Sequence, residues 1–280
     1  MRSVPVFMYH HINRYADDLV TLTPEGFENH LRYLSEKGLQ TIFLDELLEY
    51  LRGGKRFTRP AVALTFDDGH VDNWVYAFPL LKKYRVKATI FVVTSWMTEG
   101  LPRAQWDPDG GREQDLPRVP SHRESKEMAA AGDYEGGLRW EEARRMEESG
   151  LIDIQSHTHL HQDYFLGNNQ SLRLDPLKKD SLGPDLEKSK TLIETRLNKS
   201  CRFLSWPWGK YDFQAIEQAK GLGFEALATT EKGVNFPGSD AWTIKRVVTA
   251  SGERKWFSQR TKIYSHRRIG QIYSRVRGIL

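Results

Sequence analysis

Two adjacent carboxylates and a run of histidines are the groups in this chain best suited to chemistry. Asp67 and Asp68 directly follow an apolar, strand-like run, and the histidine-rich segment 157–161 follows another at 151–154. Like charges held close raise each other's pKa unless a positive partner intervenes. One carboxylate with two imidazoles makes a three-ligand site that leaves a position for water, which is typical of a catalytic metal. The sequence therefore predicts a metal-dependent hydrolase.

Strands must position these groups, and the sequence predicts eight of them. Apolar β-like runs alternate with amphipathic helical patterns, of which the first begins at Thr23-Pro24 and the second is predicted to be capped by Asp45. This alternation predicts a mostly parallel sheet, and so many units favour a barrel over an open sheet. The predicted strands are residues 4–9, 40–44, 61–66, 88–93, 152–156, 203–206, 226–229 and 243–248.

The candidate groups share one position relative to these strands. Each lies at the carboxyl end of a predicted strand, and in an α/β barrel those ends converge on one face. A chance convergence of so many suitable side chains is a poor alternative to a metal site. The groups are His10, Asp67, Asp68, His157, His161 and Trp208.

The length of 280 residues suits one large barrel domain, which we predict to span residues 1–250. A segment rich in Pro, Gly and charge at about 98–137 interrupts the strand–helix rhythm. We interpret it as an insertion that shapes the substrate site, with a poorly ordered surface excursion as the alternative. Residues 251–280 are predicted to form a basic tail or helix.

Composition limits the partners and the compartment. The single cysteine, Cys201, excludes an internal disulfide, and no apolar stretch is long enough to span a bilayer. The basic residues of the C-terminal segment alternate with aromatic and aliphatic ones, which permits a peripheral contact with an anionic membrane. No recognition motif supports nucleic acid as a partner. We expect a cytoplasmic or membrane-peripheral protein if the chain is complete, and an exported one if a leader has been removed.

Three motifs give the chain a strong resemblance to the polysaccharide deacetylase family, the NodB-homology carbohydrate esterases. They are TFDDG at 65–69, SHTHLH at 156–161 and PWG at 207–209, and the resemblance covers about residues 4–248. The MYHH stretch at 8–11, with PWG, is most similar to the branch that deacetylates poly-β-1,6-N-acetylglucosamine. The resemblance implies a distorted (β/α) barrel of seven to eight parallel strands.

The resemblance also implies the roles of the site residues and the reaction. Carried over by position, Asp67 is the general base, and Asp68, His157 and His161 bind one divalent transition metal. Zn²⁺ is expected first, with Co²⁺, Ni²⁺ or Fe²⁺ as alternatives. The backbone N–H at Trp208 would stabilise the oxyanion. The reaction is hydrolysis of an N-acetyl group on an N-acetylglucosamine-containing glycan, which releases acetate.

Two departures from the family pattern require substitutes. The late Leu-x-His motif that supplies a general acid in many members is absent, so we assign this role to His10, with His11 as the alternative. The arginine that usually precedes the proline motif is also absent, and Ser205 stands near its place. We predict that Arg246 supplies the charge that keeps the base ionised, with Lys245 as the alternative.

Aromatic residues near the proline motif are candidates for binding the sugar. Trp206, Trp208 and Tyr211 are predicted to contact substrate, although the two tryptophans fit equally well into a barrel core. Two other functions stay open from the sequence: a hydrolase of a small amide on the same scaffold, and a catalytically silent glycan-binding protein.

Overall fold

Twelve short strands and nine α-helices are present in residues 2–15, 18–110, 115–167 and 172–277, which this computed structural model describes. The strands are β1 (Val6–Tyr9), β2 (His11–Ile12), β3 (Thr21–Leu22), β4 (Gln40–Ile42), β5 (Ala61–Phe66), β6 (Ala88–Val92), β7 (Ile152–Ser156), β8 (Phe165–Leu166), β9 (Arg173–Leu174), β10 (Phe203–Ser205), β11 (Ala226–Ala228) and β12 (Val247–Val248). The helices are α1 (Pro24–Glu36), α2 (Leu44–Leu51), α3 (Phe78–Tyr84), α4 (His122–Ala130), α5 (Trp140–Glu148), α6 (Lys179–Leu197), α7 (Phe213–Gly221), α8 (Arg254–Tyr264) and α9 (Arg267–Arg277).

Eight of the strands form one parallel sheet, in the order β11–β10–β7–β6–β5–β1–β12, with β4 paired to the first half of β5. The remaining four make two small pairs, β2–β3 and β8–β9. An isolated parallel bridge links Ala228, in β11 at one end of the sheet, to Ile244, three residues before β12 at the other end. The prediction of a distorted (β/α) barrel of seven to eight parallel strands is confirmed, and each of the eight predicted strands contributes to the sheet.

The core lies on both faces of this sheet, which explains why its strands are apolar throughout. All six residues of β5 are buried. Along β5, Ala61 and Ala63 belong to a cluster inside the barrel, whereas Val62 and Leu64 belong to the larger cluster beneath the helices. Successive side chains of a strand point to opposite faces, so this division follows from the pleat.

Local sequence signals explain where several helices begin. The hydroxyl of Thr23 accepts a hydrogen bond from the N–H of Gly26, and Pro24 occupies the first turn, so the predicted start of α1 is confirmed. The predicted cap at Asp45 is wrong, because α2 begins at Leu44. Within the described residues, no helix is both long and apolar enough to cross a membrane.

Helix α4 lies inside the segment that broke the predicted rhythm. Ser121 accepts a hydrogen bond from the N–H of Glu124, whose carboxylate in turn accepts one from the N–H of Ser121. This reciprocal pair is a capping box, a signal that is readable in the sequence and specifies a helix start. The basic segment after the barrel forms α8 and α9.

Candidate active site

A tight turn at the carboxyl end of β5 presents the two adjacent carboxylates. Asp68 and Gly69 both have positive φ, 73° and 75°. A side chain at Gly69 would lie 2.8 Å from Cγ1 of Val92, so the turn requires glycine. The N–H of Asp67 donates to the carbonyl of Tyr9 on β1. The side chains of Asp67 and Asp68 have different partners: Asp67 contacts Arg246, and Asp68 contacts His157.

Asp67 forms a buried, two-point ion pair with Arg246. Nη1 and Nη2 of Arg246 lie 2.6 and 2.8 Å from Oδ1 and Oδ2 of Asp67. Arg246 is fully buried and also donates to the carbonyl of Thr229 and the hydroxyl of Ser205. Burial alone would raise the pKa of Asp67, but the charge of Arg246 outweighs it and lowers this pKa. The carboxylate is therefore ionised and held in one orientation.

Asp68 faces two histidines from the loop that follows β7. Its Oδ1 lies 3.2 Å from Nε2 of His157 and 3.5 Å from Nε2 of His161. The three potential ligand atoms lie within 4.8 Å of one another. Nδ1 of His157 donates to the carbonyl of Ser205, at 2.8 Å, which orients the ring with Nε2 facing Asp68. The donor set of two imidazoles and one carboxylate fits a divalent transition metal.

The pKa values of these groups shift in different directions. Burial would lower the pKa of His157, but its hydrogen bond with Asp68 raises it. Burial has the larger effect on His161. It lowers the pKa of His161 to about 4, so this imidazole is neutral at physiological pH. Burial would also raise the pKa of Asp68, but hydrogen bonds from His157 and His70 keep it well below its usual value. A neutral imidazole and an ionised carboxylate are the forms that bind a metal.

The loop that carries the two histidines is fixed by a buried acid on α6. The carboxylate of Asp185 accepts hydrogen bonds from the N–H groups of His159 and Leu160, at 3.1 and 2.8 Å. Thr158 and His161 adopt positive φ, and the hydroxyl of Thr158 accepts from the N–H of His161. These bonds hold a strained backbone in place. No feature of the sequence around Asp185 indicates this role.

A cleft with a volume of about 430 Å³ opens over these residues. Trp208 lies on one side, 52% exposed, with its ring centroid 4.4 Å from that of His161. Helix α4, which lies in the segment predicted to shape the substrate site, lines this cleft as well, and the substrate-shaping role stays a prediction. The lining residues are Asp68, His70, Ser95, Trp96, His122, Ser125, Lys126, Ala129, Ala130, Tyr134, Leu160, His161 and Trp208.

The two candidate acids after β1 have different surroundings. His10 is half-buried and interacts electrostatically with Asp67 and Asp68, while burial lowers its pKa. His11 is buried, and its Nδ1 lies 2.7 Å from Oδ2 of Asp72. Neither histidine is among the described residues that line the cleft. His10 is the less buried of the two, whereas the ring of His11 is engaged by Asp72, so His10 is the better candidate for a group that reaches substrate.

Three further sequence candidates lie away from the cleft. Trp206 is 1% exposed and packs in the core against Phe165, so the prediction that its ring contacts substrate is wrong. Tyr211 donates to Glu231 and is not among the described residues that line the cleft. Lys245 forms an ion pair with the same Glu231, which leaves Arg246 as the partner of Asp67.

The arrangement as a whole defines a class of protein. A poised carboxylate, a potential metal site and a half-buried imidazole meet at the carboxyl end of a parallel barrel, under an aromatic rim. This combination fits a hydrolase in which an activated water attacks an acyl group.

Comparison with known proteins shows the family. Residues 54–227 match the model of the polysaccharide deacetylase family, and the chain belongs to this family. YxkH of Bacillus subtilis (strain 168), whose name places it among the polysaccharide deacetylases, is 26% identical over 250 residues, which cover 89% of this chain and 72% of YxkH.

Two further matches concern the branch and the fold. The poly-beta-1,6-N-acetyl-D-glucosamine N-deacetylase of Escherichia coli (strain K12) is 24% identical over 263 residues, which cover 87% of this chain but only 36% of that protein. The structure of IcaB from Ammonifex degensii superposes with a TM-score of 0.70 at 21% identity, covering 95% of this chain and 98% of IcaB. This superposition supports the barrel fold.

Proposed function

We propose that this deacetylase is metal-dependent and removes N-acetyl groups from poly-β-1,6-N-acetylglucosamine or a related N-acetylglucosamine-containing glycan. The observation that carries the proposal is the ionised Asp67, clamped by Arg246, beside the cluster of Asp68, His157 and His161. The name of the Escherichia coli relative supports this choice of glycan.

The metal site has a defined part in the proposed reaction. Asp68, His157 and His161 would hold one divalent transition metal, with Zn²⁺ expected first. When bound, it would polarise the amide carbonyl and lower the pKa of the attacking water.

The side chains supply the proton transfers. Asp67, kept ionised by Arg246, accepts a proton from the water as the water oxygen bonds to the acetyl carbon. The backbone N–H of Trp208 stabilises the negative charge that develops on the acetyl oxygen. His10 donates a proton to the departing nitrogen as the C–N bond breaks. The products are acetate and a free amine on the sugar.

Acetate release from a panel of substrates tests the proposal. The panel contains β-1,6- and β-1,4-linked N-acetylglucosamine oligomers, together with small N-acetylated amides, each with and without a chelator. We expect release from the β-1,6 oligomers, loss with chelator and recovery on addition of Zn²⁺. Release only from small amides, or binding of oligomers without release, would replace the proposed function by one of the two alternatives.

Two substitutions separate the base from the metal site. Asp67→Asn should abolish acetate release and leave metal bound, because the carboxylate of Asp67 pairs with Arg246 and does not belong to the three-ligand cluster. Asp68→Asn should abolish acetate release and also metal binding, because it removes the negative charge of one metal ligand. Metal content measured on the purified variants distinguishes the two outcomes, and equal metal content in both would contradict the assignment.

A further inference from the structure

His70 contacts the candidate metal ligand Asp68 without belonging to the three-ligand cluster. Its Nε2 lies 3.1 Å from Oδ2 of Asp68. An ionised carboxylate can only accept, so Nε2 of His70 carries the proton and donates it. The other oxygen of Asp68, Oδ1, faces His157 and His161. The two oxygens of this carboxylate therefore have separate partners.

The ring of His70 is itself held in place by a buried polar group. His70 stacks on His11, with ring centroids 3.7 Å apart and planes inclined by 20°. His11 bonds through Nδ1 to Oδ2 of Asp72, which also accepts a hydrogen bond from the side-chain amide of Asn13 at 2.8 Å. All four side chains are buried. This packing gives the imidazole of His70 one defined orientation.

The backbone that carries His70 is fixed by the end of the insertion. The N–H of Leu138 donates to the carbonyl of Gly69, and the N–H of Val71 donates to the carbonyl of Gly136, at 3.0 and 2.8 Å. A Cβ at Gly137 would lie 2.3 Å from the carbonyl oxygen of Trp96, so this close approach requires glycine. The segment 69–71 is therefore held on both sides of the imidazole.

We propose that His70 is a positioning residue for the metal site, which keeps Asp68 a one-oxygen ligand. By occupying Oδ2, the N–H of His70 leaves Oδ1 as the oxygen directed at the two histidines. This inference rests on the ligand assignment made under the proposed function. Outer hydrogen-bond partners of metal ligands contribute about 10–100-fold to metal affinity, because they restrict the ligand to its binding orientation.

Two substitutions at His70 and one control test the proposal. His70→Phe keeps an aromatic ring to stack on His11 but removes the donor, and His70→Gln keeps a donor without the ring. His266→Phe makes the first change at an exposed histidine outside the cleft. Dissociation constants for Zn²⁺ and Co²⁺ are measured by competition with a chromophoric chelator. Thermal unfolding of the metal-free proteins shows whether each variant folds.

We expect His70→Phe to weaken metal binding about 10–100-fold, His70→Gln to recover part of the loss, and His266→Phe to match the wild type. The visible absorption of bound Co²⁺ should weaken in His70→Phe, because a freed Oδ2 raises the coordination number. A merely structural role for His70 would not change this spectrum.

Unchanged metal affinity and an unchanged Co²⁺ spectrum in a folded His70→Phe protein would overturn the inference about His70. The proposed deacetylase function would still stand. Conversely, a wild-type protein that binds metal but releases no acetate from any substrate would overturn the proposed function alone. A wild-type protein that binds neither ion would overturn both.

Discussion

Arg246 donates a hydrogen bond to each carboxylate oxygen of Asp67, although 178 residues separate the two in sequence. Ser205 adds a third side chain to this group, because its hydroxyl lies 2.9 Å from Nη2 of Arg246 and 3.3 Å from Oδ2 of Asp67. The residue directly before the last strand, β12, thus supplies the positive charge that the segment before the proline motif lacks.

Replacing Arg246 by Lys should move the acid limb of the pH–rate profile to higher pH. The variant loses the two-point contact, so burial raises the pKa of Asp67, and a base is active only when ionised. The profile of kcat/KM against pH, recorded for Zn²⁺-loaded protein, measures the shift. Arg246→Met should also destabilise the fold by about 3–5 kcal/mol, because it leaves a buried charge unpaired. An acid limb that stays in place in Arg246→Lys would show that Asp67 is not the titrating base.

His10→Ala should lower turnover about 10²–10⁴-fold and leave the metal content unchanged, as expected for loss of a general acid. His11→Ala is the matched comparison. Because His11 packs on His70 and bonds to Asp72, its loss should weaken metal binding instead. Turnover and metal content of both variants are measured in parallel. A His10→Ala enzyme with wild-type turnover would remove His10 from the mechanism.

Truncating Trp206 should lower the stability of the fold, whereas truncating Trp208 should weaken substrate binding. Trp206→Ala removes a buried core side chain and should cost about 3–5 kcal/mol of unfolding free energy. Trp208→Ala removes a half-exposed ring at the cleft and should raise KM several-fold with little change in stability. Urea unfolding and steady-state kinetics of the two variants check this pair. An unchanged KM in Trp208→Ala would argue against sugar stacking.

His30 should make the fold less stable as the pH falls. It is fully buried, and burial lowers its pKa from 6.5 to about 3. Between these values the unfolded chain binds a proton that the folded protein does not, so stability is lost as pH falls through 6.5 towards 3. The expected loss is about 2 kcal/mol at about pH 5. His30→Gln cannot titrate, so its unfolding free energy, measured with chelator present, should fall less over this range than that of the wild type.

Helix α9 carries the predicted contact with an anionic membrane, which stays a prediction. Ile269, Ile272 and Val276 are exposed, as are Arg268 and Arg275. Co-sedimentation with phosphatidylserine vesicles at low salt tests it. Binding should weaken in the double variant Arg268→Glu/Arg275→Glu, because attraction to anionic lipid contributes to such contacts. No binding by the wild type would contradict the prediction.

The placement of the principal site residues could be predicted from the sequence because it follows from topology. Asp68, His157 and His161 come after predicted parallel strands, whose carboxyl ends converge. Arg246 could be proposed on a different ground, because it lies on the predicted strand 243–248, and β12 pairs with β1 beside β5.

Features that depend on side-chain direction or on distant packing could not be predicted. Trp206 and Trp208 are two residues apart, but a left-handed turn at Trp208 places one ring in the core and the other at the cleft. The contact of Asp185 with the histidine loop and the stacking of His11 on His70 depend on how separate segments pack. No periodicity or motif in either segment encodes these contacts.

The strand order β5–β1–β12 has a consequence for biosynthesis. The candidate metal ligands end at His161 and the contacts that orient them end at Ser205, whereas the base depends on Arg246, which directly precedes the strand that pairs with β1. During translation the cluster can therefore assemble before the nascent chain contains the guanidinium that the carboxylate needs. If the proposed function holds, the cluster forms before the base is charged, and deacetylation waits for β12 to pair with β1.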